Sequence, residues 1–154
     1  MNLHSGTATD GTAVTQRLAN IENVVGTDNN DLIIGNASAN YLEGGAGDDV
    51  IKASSGNAND NDTLDGGVGT DEASYADVSA GITVDLLSSA NGTATANVSG
   101  GAHVGNDTLY SFELISGSGS NDLFKNLVGG YELRGGGGLG DTLDYSNETA
   151  ALSI

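Results

Sequence analysis

Between residues 26 and 74 the chain alternates short apolar runs with stretches of Gly, Asn and Asp, and the alternation has a fixed period. GTDNNDLII (26–34), GNASANYLE (35–43) and GGAGDDVIK (44–52) follow one another without a gap. Each opens on Gly, carries Asp or Asn at its sixth position (Asp31, Asn40, Asp49) and a large aliphatic residue at its eighth (Ile33, Leu42, Ile51). ASSGNANDNDTLD (53–65) is four residues longer but ends alike, in Asp62 and Leu64, and GGVGTDEAS (66–74) restores the nine with Asp71 in sixth place. Six residues rich in Gly, Asn and Asp suit a tight turn with positive φ, which Gly adopts without steric cost. The three that follow, such as Leu32–Ile34 or Val50–Lys52, predict a short strand whose middle aliphatic points inward. Two such units make one coil of 18 residues, so a flattened parallel β-helix is predicted, with equivalent turns stacked. Asp31 and Asp49 are 18 apart; Asn40 and Asp62, like Asp49 and Asp71, are 22 apart, which is the coil plus the four-residue insertion. The insertion therefore preserves the stacking.

A longer self-similarity lies over the first. NIENVVGTDNNDLII (20–34) aligns with SFELISGSGSNDLFK (111–125) at an offset of 91, and YADVSAGITV (75–84) with YSNETAALSI (145–154) at an offset of 70. The chain thus reads as a piece of a longer array that breaks off inside a strand. GITVDLL (81–87) alternates like a longer strand, NGTATANVSGGAHVG (91–105) reads as a polar hairpin or loop rim, and the coil is expected to widen here with Tyr75, Tyr110 and Tyr145 as core fillers.

The composition works against packing of these units. Lys and Arg total 4 against 21 acids, for a net charge of −17, and aromatics are only 5% of the chain, so self-repulsion is large and little apolar area is available for burial. Nucleic acid and anionic lipid are excluded as partners, since binding phosphates needs Lys and Arg. Without Cys, neither disulfides nor thiolate metal sites hold the fold. No stretch has the apolar length to cross a membrane, and MNLHSGTATD does not have the pattern of a signal peptide. Cations remain as the natural partners. Carboxylates stacked at a strand spacing of about 4.8 Å repel unless a cation lies between them. Oxygen ligands without His or Cys point to Ca²⁺ over Zn²⁺ or Cu²⁺, and the carbonyls of glycine turns can complete a shell that Mg²⁺, with its octahedral demand, fits poorly.

GGAGDDVIK and GGVGTDEAS resemble the GGxGxDxUx nonapeptide of the RTX ("repeats in toxin") family. The resemblance implies an all-β, right-handed parallel β-roll or β-helix solenoid with calcium-binding glycine-rich turns. Matched by position, it implies Asp31, Asp49, Asp62 and Asp71 as side-chain ligands of several Ca²⁺ ions, Asn40 as a weaker equivalent, and Gly26, Gly44, Gly45, Gly47, Gly66, Gly67 and Gly69 as carbonyl donors, with Asp28 in the first turn beside them. GNDTLY (105–110), GSGSNDLFK (117–125) and GGLGDTLDY (137–145) add Asp107, Gly117, Gly119, Asp122 and Asp141. The expected organisation is a partial superunit over 1–25, the nonapeptide calcium roll over 26–74, a wider-coil segment with a polar loop over 75–116, and a second, truncated block over 117–154.

Blander roles are expected for the rest. His4 and His103 are read as solvated bystanders, Asp60 as solubilising its loop, and Asp77 and Asp85 as facing water; Glu22 and Glu113 either cap backbone or join a calcium shell. The function expected is a non-enzymatic calcium-binding module that folds on meeting extracellular Ca²⁺ and stiffens a secreted or cell-surface bacterial protein. It would be monomeric and partnered by neighbouring repeats, and the resemblance implies export by a type I channel. The alternatives are a non-catalytic module of a secreted polysaccharide-active enzyme, protease or lipase, or a solenoid binding ice or glycan. No nucleophile elbow or HExxH motif occurs, the four cations Arg17, Lys52, Lys125 and Arg134 are scattered, and Thr63, Thr83, Thr95 and Thr108 keep no regular ladder spacing.

Overall fold

A computed structural model describes residues 1–9, 15–53, 60–87, 95–100, 105–126 and 130–149, and every regular element among them is a β-strand. His103 lies outside the described residues, as do 54–59 of the insertion and most of the polar stretch before Gly105. The first two strands, β1 (Thr7–Thr9) and β2 (Thr15–Arg17), form an antiparallel pair at one end.

β3 (Asn23–Val25) leads into the nonapeptide block, which then builds β4 (Leu32–Ile34), β5 (Tyr41–Ala46), β6 (Val50–Lys52), β7 (Thr63–Val68) and β8 (Glu72–Ser74). These alternate between two sheets: β3, β5 and β7 run parallel in one, and β4, β6 and β8 run parallel in the other. The central aliphatics come into register, Val24 beside Leu42 beside Leu64 and Ile33 beside Ile51 beside Ala73, and all six are almost fully buried. A strand of three residues can bury one side chain, so each coil supplies one inward aliphatic per sheet, and that residue finds its packing partners only in neighbouring coils. At the open end of the second sheet, residues 1–3 run beside β4: Leu3 N–H donates to the carbonyl of Ile34 (2.7 Å) and Ile34 N–H to that of Met1 (2.9 Å).

Parallel coils do not continue through the middle of the chain. After β8 come β9 (Thr83–Leu87), β10 (Thr95–Ser99) and β11 (Asn106–Tyr110), an antiparallel meander. The chain here has no glycine-led nonapeptide to carry it across to the opposite sheet, so it folds back on itself. The alternation of GITVDLL does produce the expected strand, with Ile82, Val84 and Leu86 buried on one face. NGTATANVSGGAHVG contributes the middle strand of the meander rather than a loop rim alone. β11 rejoins the first sheet parallel to β7, and β12 (Leu114–Ser116) continues the second beside β8. β13 (Leu123–Lys125) pairs with β9, β14 (Glu132–Arg134) with β12, and β15 (Thr142–Asp144) with β13, all parallel.

Among the described residues the first sheet therefore has eight strands, β15-β13-β9-β10-β11-β7-β5-β3, and the second five, β14-β12-β8-β6-β4. At this level of the stack the chain places its large core residues Tyr75, Phe112 and Phe124. Tyr110 and Tyr145 do not join them: both are exposed, because Tyr110 falls at an outward position of β11 and Tyr145 follows the last strand at the open end of the stack. The 91-residue offset aligns β3 with β12 and β4 with β13, yet each pair sits in opposite sheets. A nine-residue unit is half a coil, so a copy fits either side equally well.

Candidate metal centre

Two edges of the stack carry the turns, and each is organised by the sixth-position residue. On the edge where the chain passes from the first sheet to the second, the backbone N–H of Asp31 donates to Oδ1 of Asp49 (2.7 Å), that of Asp49 to Oδ1 of Asp71 (2.8 Å), and that of Asp71 to Oε2 of Glu113 (2.9 Å). On the opposite edge Asn40 N–H donates to Oδ1 of Asp62 (2.8 Å) and Asp62 N–H to Oδ1 of Asp107 (2.9 Å). Beyond the meander this second column resumes: Ile82 N–H donates to Oδ1 of Asp122 (2.8 Å) and Asp122 N–H to Oδ1 of Asp141 (2.9 Å). Each coil is thus held to the next by one carboxylate oxygen, and the spacings of 18 and 22 residues both give the same bond. Ile82 stands in the column where an acid would be, which separates its two halves.

The second oxygen of each carboxylate distinguishes the turns. Oδ2 of Asp31 accepts from the N–H (2.7 Å) and hydroxyl (2.9 Å) of Thr27. Oδ2 of Asp122 accepts the N–H of Ser118 (2.7 Å), whose hydroxyl bonds Oδ1 (2.7 Å). Asn40 Oδ1 accepts the N–H of Asn36 (2.8 Å). Oδ2 of Asp107 accepts the hydroxyl of the buried Tyr75 (3.0 Å). By contrast, Oδ2 of Asp49 and Oδ2 of Asp71 are buried and accept nothing, although the two residues are only 1% and 0% exposed.

Burial without a partner is unfavourable for a carboxylate, and the proton affinities follow. Burial pushes Asp49 up, against the lowering effect of the Asp31 amide, with Asp31 and Asp48 adding repulsion. Asp71 rises to about 6 for the same reason, with Asp49, Glu113 and Asp48 as its acidic neighbours. Asp107 rises to about 8, mainly by burial, with Asp62 and Asp60 nearby.

The donor set around Asp49 and Asp71 fits a hard cation. Gly44 and Gly66 pack their Cα atoms against the carboxylates of their own turns, and the carbonyl of Gly66 presses on Gly44 as that of Gly44 does on Gly26. Any Cβ at these glycines would strike those oxygens. Gly45 (φ 111°) and Gly67 (φ 100°) take up the left-handed backbone these turns need, and Gly47 and Gly69 stack carbonyl against backbone in the same way. Among the described residues no three acidic, His or Cys side chains converge on a point. A cation here would draw most of its shell from the backbone carbonyls that the glycines leave uncovered, a shell that suits the variable coordination of Ca²⁺.

The remaining candidates fall in several places. Gly117 packs against Asp122 as Gly44 does against Asp49, Gly119 accompanies it in the turn, and Asp141 is exposed at the open end. Asp28 is exposed at the tip of the first turn. Glu113 caps the backbone of Asp71, whereas Glu22 is exposed. Asp60 is not in solvent but buried, since the backbone of Gly105 packs directly on its carbonyl. Asp77 does face water, paired with Lys52 (2.7 Å), while Asp85 is held between Asn126 and Lys125, whose hydrogen bonds keep its carboxyl below the usual range.

A second clamp lies one position before the first. At the fifth position Asp48 N–H donates to Oδ1 of Asn30 (2.9 Å), Thr70 N–H to Oδ1 of Asp48 (3.0 Å), and Asn106 N–H to Oδ1 of Asn61 (2.9 Å). Asn121 Oδ1 likewise accepts the N–H groups of Leu139 and Gly140 (both 3.1 Å). These bonds run opposite in direction to the sixth-position ladder. The signal was the recurrence of Asn or Asp immediately before the sixth position at Asn30, Asp48, Asn61 and Asn121.

No curated protein matches the chain. Residues 25–57 and 58–73 match the family model described as RTX calcium-binding nonapeptide repeat (4 copies). The matched residues run from the end of β3 into β8 and include the column from Asp31 to Asp71, and this block of the chain belongs to the RTX calcium-binding nonapeptide repeat family.

Proposed function

We propose that the chain is a calcium-dependent structural module, a right-handed β-roll interrupted by an antiparallel meander, whose coils are tied together by Ca²⁺ at the glycine turns. One observation carries this reading: the buried Oδ2 atoms of Asp49 and Asp71 lack any partner. A protein does not retain two such oxygens in adjacent coils at no gain, and a cation removes both the desolvation penalty and the repulsion between the acids. Asp49 and Asp71 hold the ion, with carbonyl oxygens of Gly44, Gly45, Gly47, Gly66, Gly67 and Gly69 completing its shell. When bound, Ca²⁺ supplies positive charge between coils and nothing else; the chain's own residues set the register through the two amide ladders.

Folding and ion binding are then coupled, because glycine-rich turns carry a high conformational entropy and the chain a net charge of −17. Extracellular calcium modules bind at about 10⁻⁴ to 10⁻³ M. In that range the module is unfolded inside a cell and folded outside, which suits a stiffening role in a secreted or surface-exposed bacterial protein. It does not act as an enzyme. A Thr-ladder surface for ice or glycan is not favoured: Thr63 and Thr108 do stand side by side, but the row continues as Tyr41 and Asn23. Far-ultraviolet circular dichroism tests the proposal. Coil in EDTA and β structure in millimolar Ca²⁺, with Mg²⁺ failing to substitute, are the expected results; equal β signal in both buffers overturns it.

A further inference from the structure

Turns that look alike in the nonapeptide frame fall into two chemical kinds, and the difference lies at their second position. In the turns that begin at Gly44 and Gly66 the second residue is a glycine with positive φ (Gly45, 111°; Gly67, 100°), and the sixth-position Oδ2 is left without a donor. In the turns that begin at Gly26, Gly35 and Gly117 the second residue is Thr27, Asn36 or Ser118, none of them at positive φ. There the backbone N–H of that residue points into the turn and donates to the sixth-position side chain, at 2.7, 2.8 and 2.7 Å. Thr27 and Ser118 add a hydroxyl donor to the same carboxylate.

We infer that Thr27, Asn36 and Ser118 close their own turns without an ion, so that the second residue of each turn decides whether it takes Ca²⁺ or replaces it. This rests on the calcium reading above and narrows it. Asp31 and Asp122 become clasp residues rather than ligands. An N–H and an O–H occupy the lone pairs that would otherwise face a cation, and a cation brought there would meet the positive ends of two donor dipoles. Asn40 with Asn36 is the neutral version of the same device. The side chain of Asn36 also accepts from Asn40 Nδ2 (3.3 Å), so this pair bonds reciprocally. Asp107 is closed differently but to the same effect, with Tyr75 in place of the turn donor. The ion-filled turns, 44–49 and 66–71, are consecutive on one edge of the stack, and self-closed turns lie before them on the same edge and opposite them on the other. The turn from Gly135 to Asp141 shares the positive-φ glycine at its second position (Gly136, 85°) but leaves its acid exposed, so among the five turns compared above only 44–49 and 66–71 leave a buried carboxylate oxygen for an ion to satisfy.

Isothermal titration of the whole chain with Ca²⁺ alone tests this, read as the number of ions bound. Asp31→Asn keeps an oxygen to accept the Thr27 N–H; it is expected to leave the stoichiometry unchanged and the affinity within about threefold of the unmodified chain. Asp49→Asn and Asp71→Asn are each expected to remove at least one ion. Thr27→Gly, which frees Asp31 Oδ2 and allows positive φ at the second position, is expected to raise the stoichiometry by one. Circular dichroism in saturating Ca²⁺ checks that each variant retains the β signal. If Asp31→Asn loses an ion as Asp49→Asn does, or if Thr27→Gly folds and gains none, the inference is overturned while calcium binding itself stands. A chain that binds no Ca²⁺ at all overturns the reading beneath it as well.

Discussion

The backbone N–H of Asp49 donates to Oδ1 of Asp71, 22 residues further along the chain, at 2.8 Å. The same carboxylate leaves its other oxygen buried and without a donor. One group thus fixes the register of two coils and exposes a charge to the space between them.

Replacing Asp49 should therefore do two kinds of damage at once. Asp49→Ala removes the acceptor of the Asp31 amide and a proposed ion ligand, whereas Asp77→Ala removes only an exposed pairing with Lys52, worth at most about 1 kcal/mol. The expected outcome is a loss of calcium affinity of at least tenfold for Asp49→Ala and no measurable change for Asp77→Ala, by calorimetry.

The raised acids set a pH dependence for the calcium-free chain. Asp71 in the fold is lifted from 3.8 to about 6 and Asp107 to about 8, so the folded state holds protons that the unfolded chain has already released. Stability is fully present below the unfolded value near 3.8 and is lost as pH rises through about 6 and then about 8. In EDTA, β signal should therefore grow as the buffer is taken from pH 8 toward pH 4. Ca²⁺ binding near pH 5 should release protons, measurable as a dependence of the apparent binding heat on the ionisation enthalpy of the buffer.

Tyr75→Phe isolates the clasp at Asp107. The ring remains in its buried place, but Oδ2 of Asp107 loses its hydroxyl donor, at a cost of about 1–3 kcal/mol. Denaturant unfolding in saturating Ca²⁺ should record that loss, while the number of ions bound stays the same.

Ile51→Ala tests the core independently of charge. Ile51 is fully buried between Ile33 and Ala73 in successive coils, and truncation should cost about 2–5 kcal/mol in saturating Ca²⁺. Because its neighbours sit in the coils above and below, the loss should appear as lower cooperativity of the calcium titration too.

The nine-residue pattern made β4 to β8 legible, along with the stacking of Asp31, Asp49 and Asp71, because a repeat with one inward aliphatic and one turn acid leaves few ways to close a coil. What followed was less legible for physical reasons. GITVDLL has the alternation of a strand in any pairing, and nothing local says whether its neighbour runs parallel or antiparallel; that depends on whether the connection crosses the core. The burial of Asp60 and the tie between Tyr75 and Asp107 arise from residues 45 and 32 positions apart meeting through the meander. Asp31 and Asp49 share the sixth position and look equivalent in the sequence. Their second oxygens differ because of Thr27 and Gly45, a contrast of backbone dihedral that spacing does not display.

Among the described residues the meander leaves β9 and β10 in one sheet without counterpart strands across the core. At about 4.8 Å per strand, one wall of the stack is longer than the other by roughly 10 Å at that level. A rod assembled from such units in tandem would lean toward its shorter wall at every meander. The unit length between interruptions, more than the ions, would then decide how tightly the rod curves.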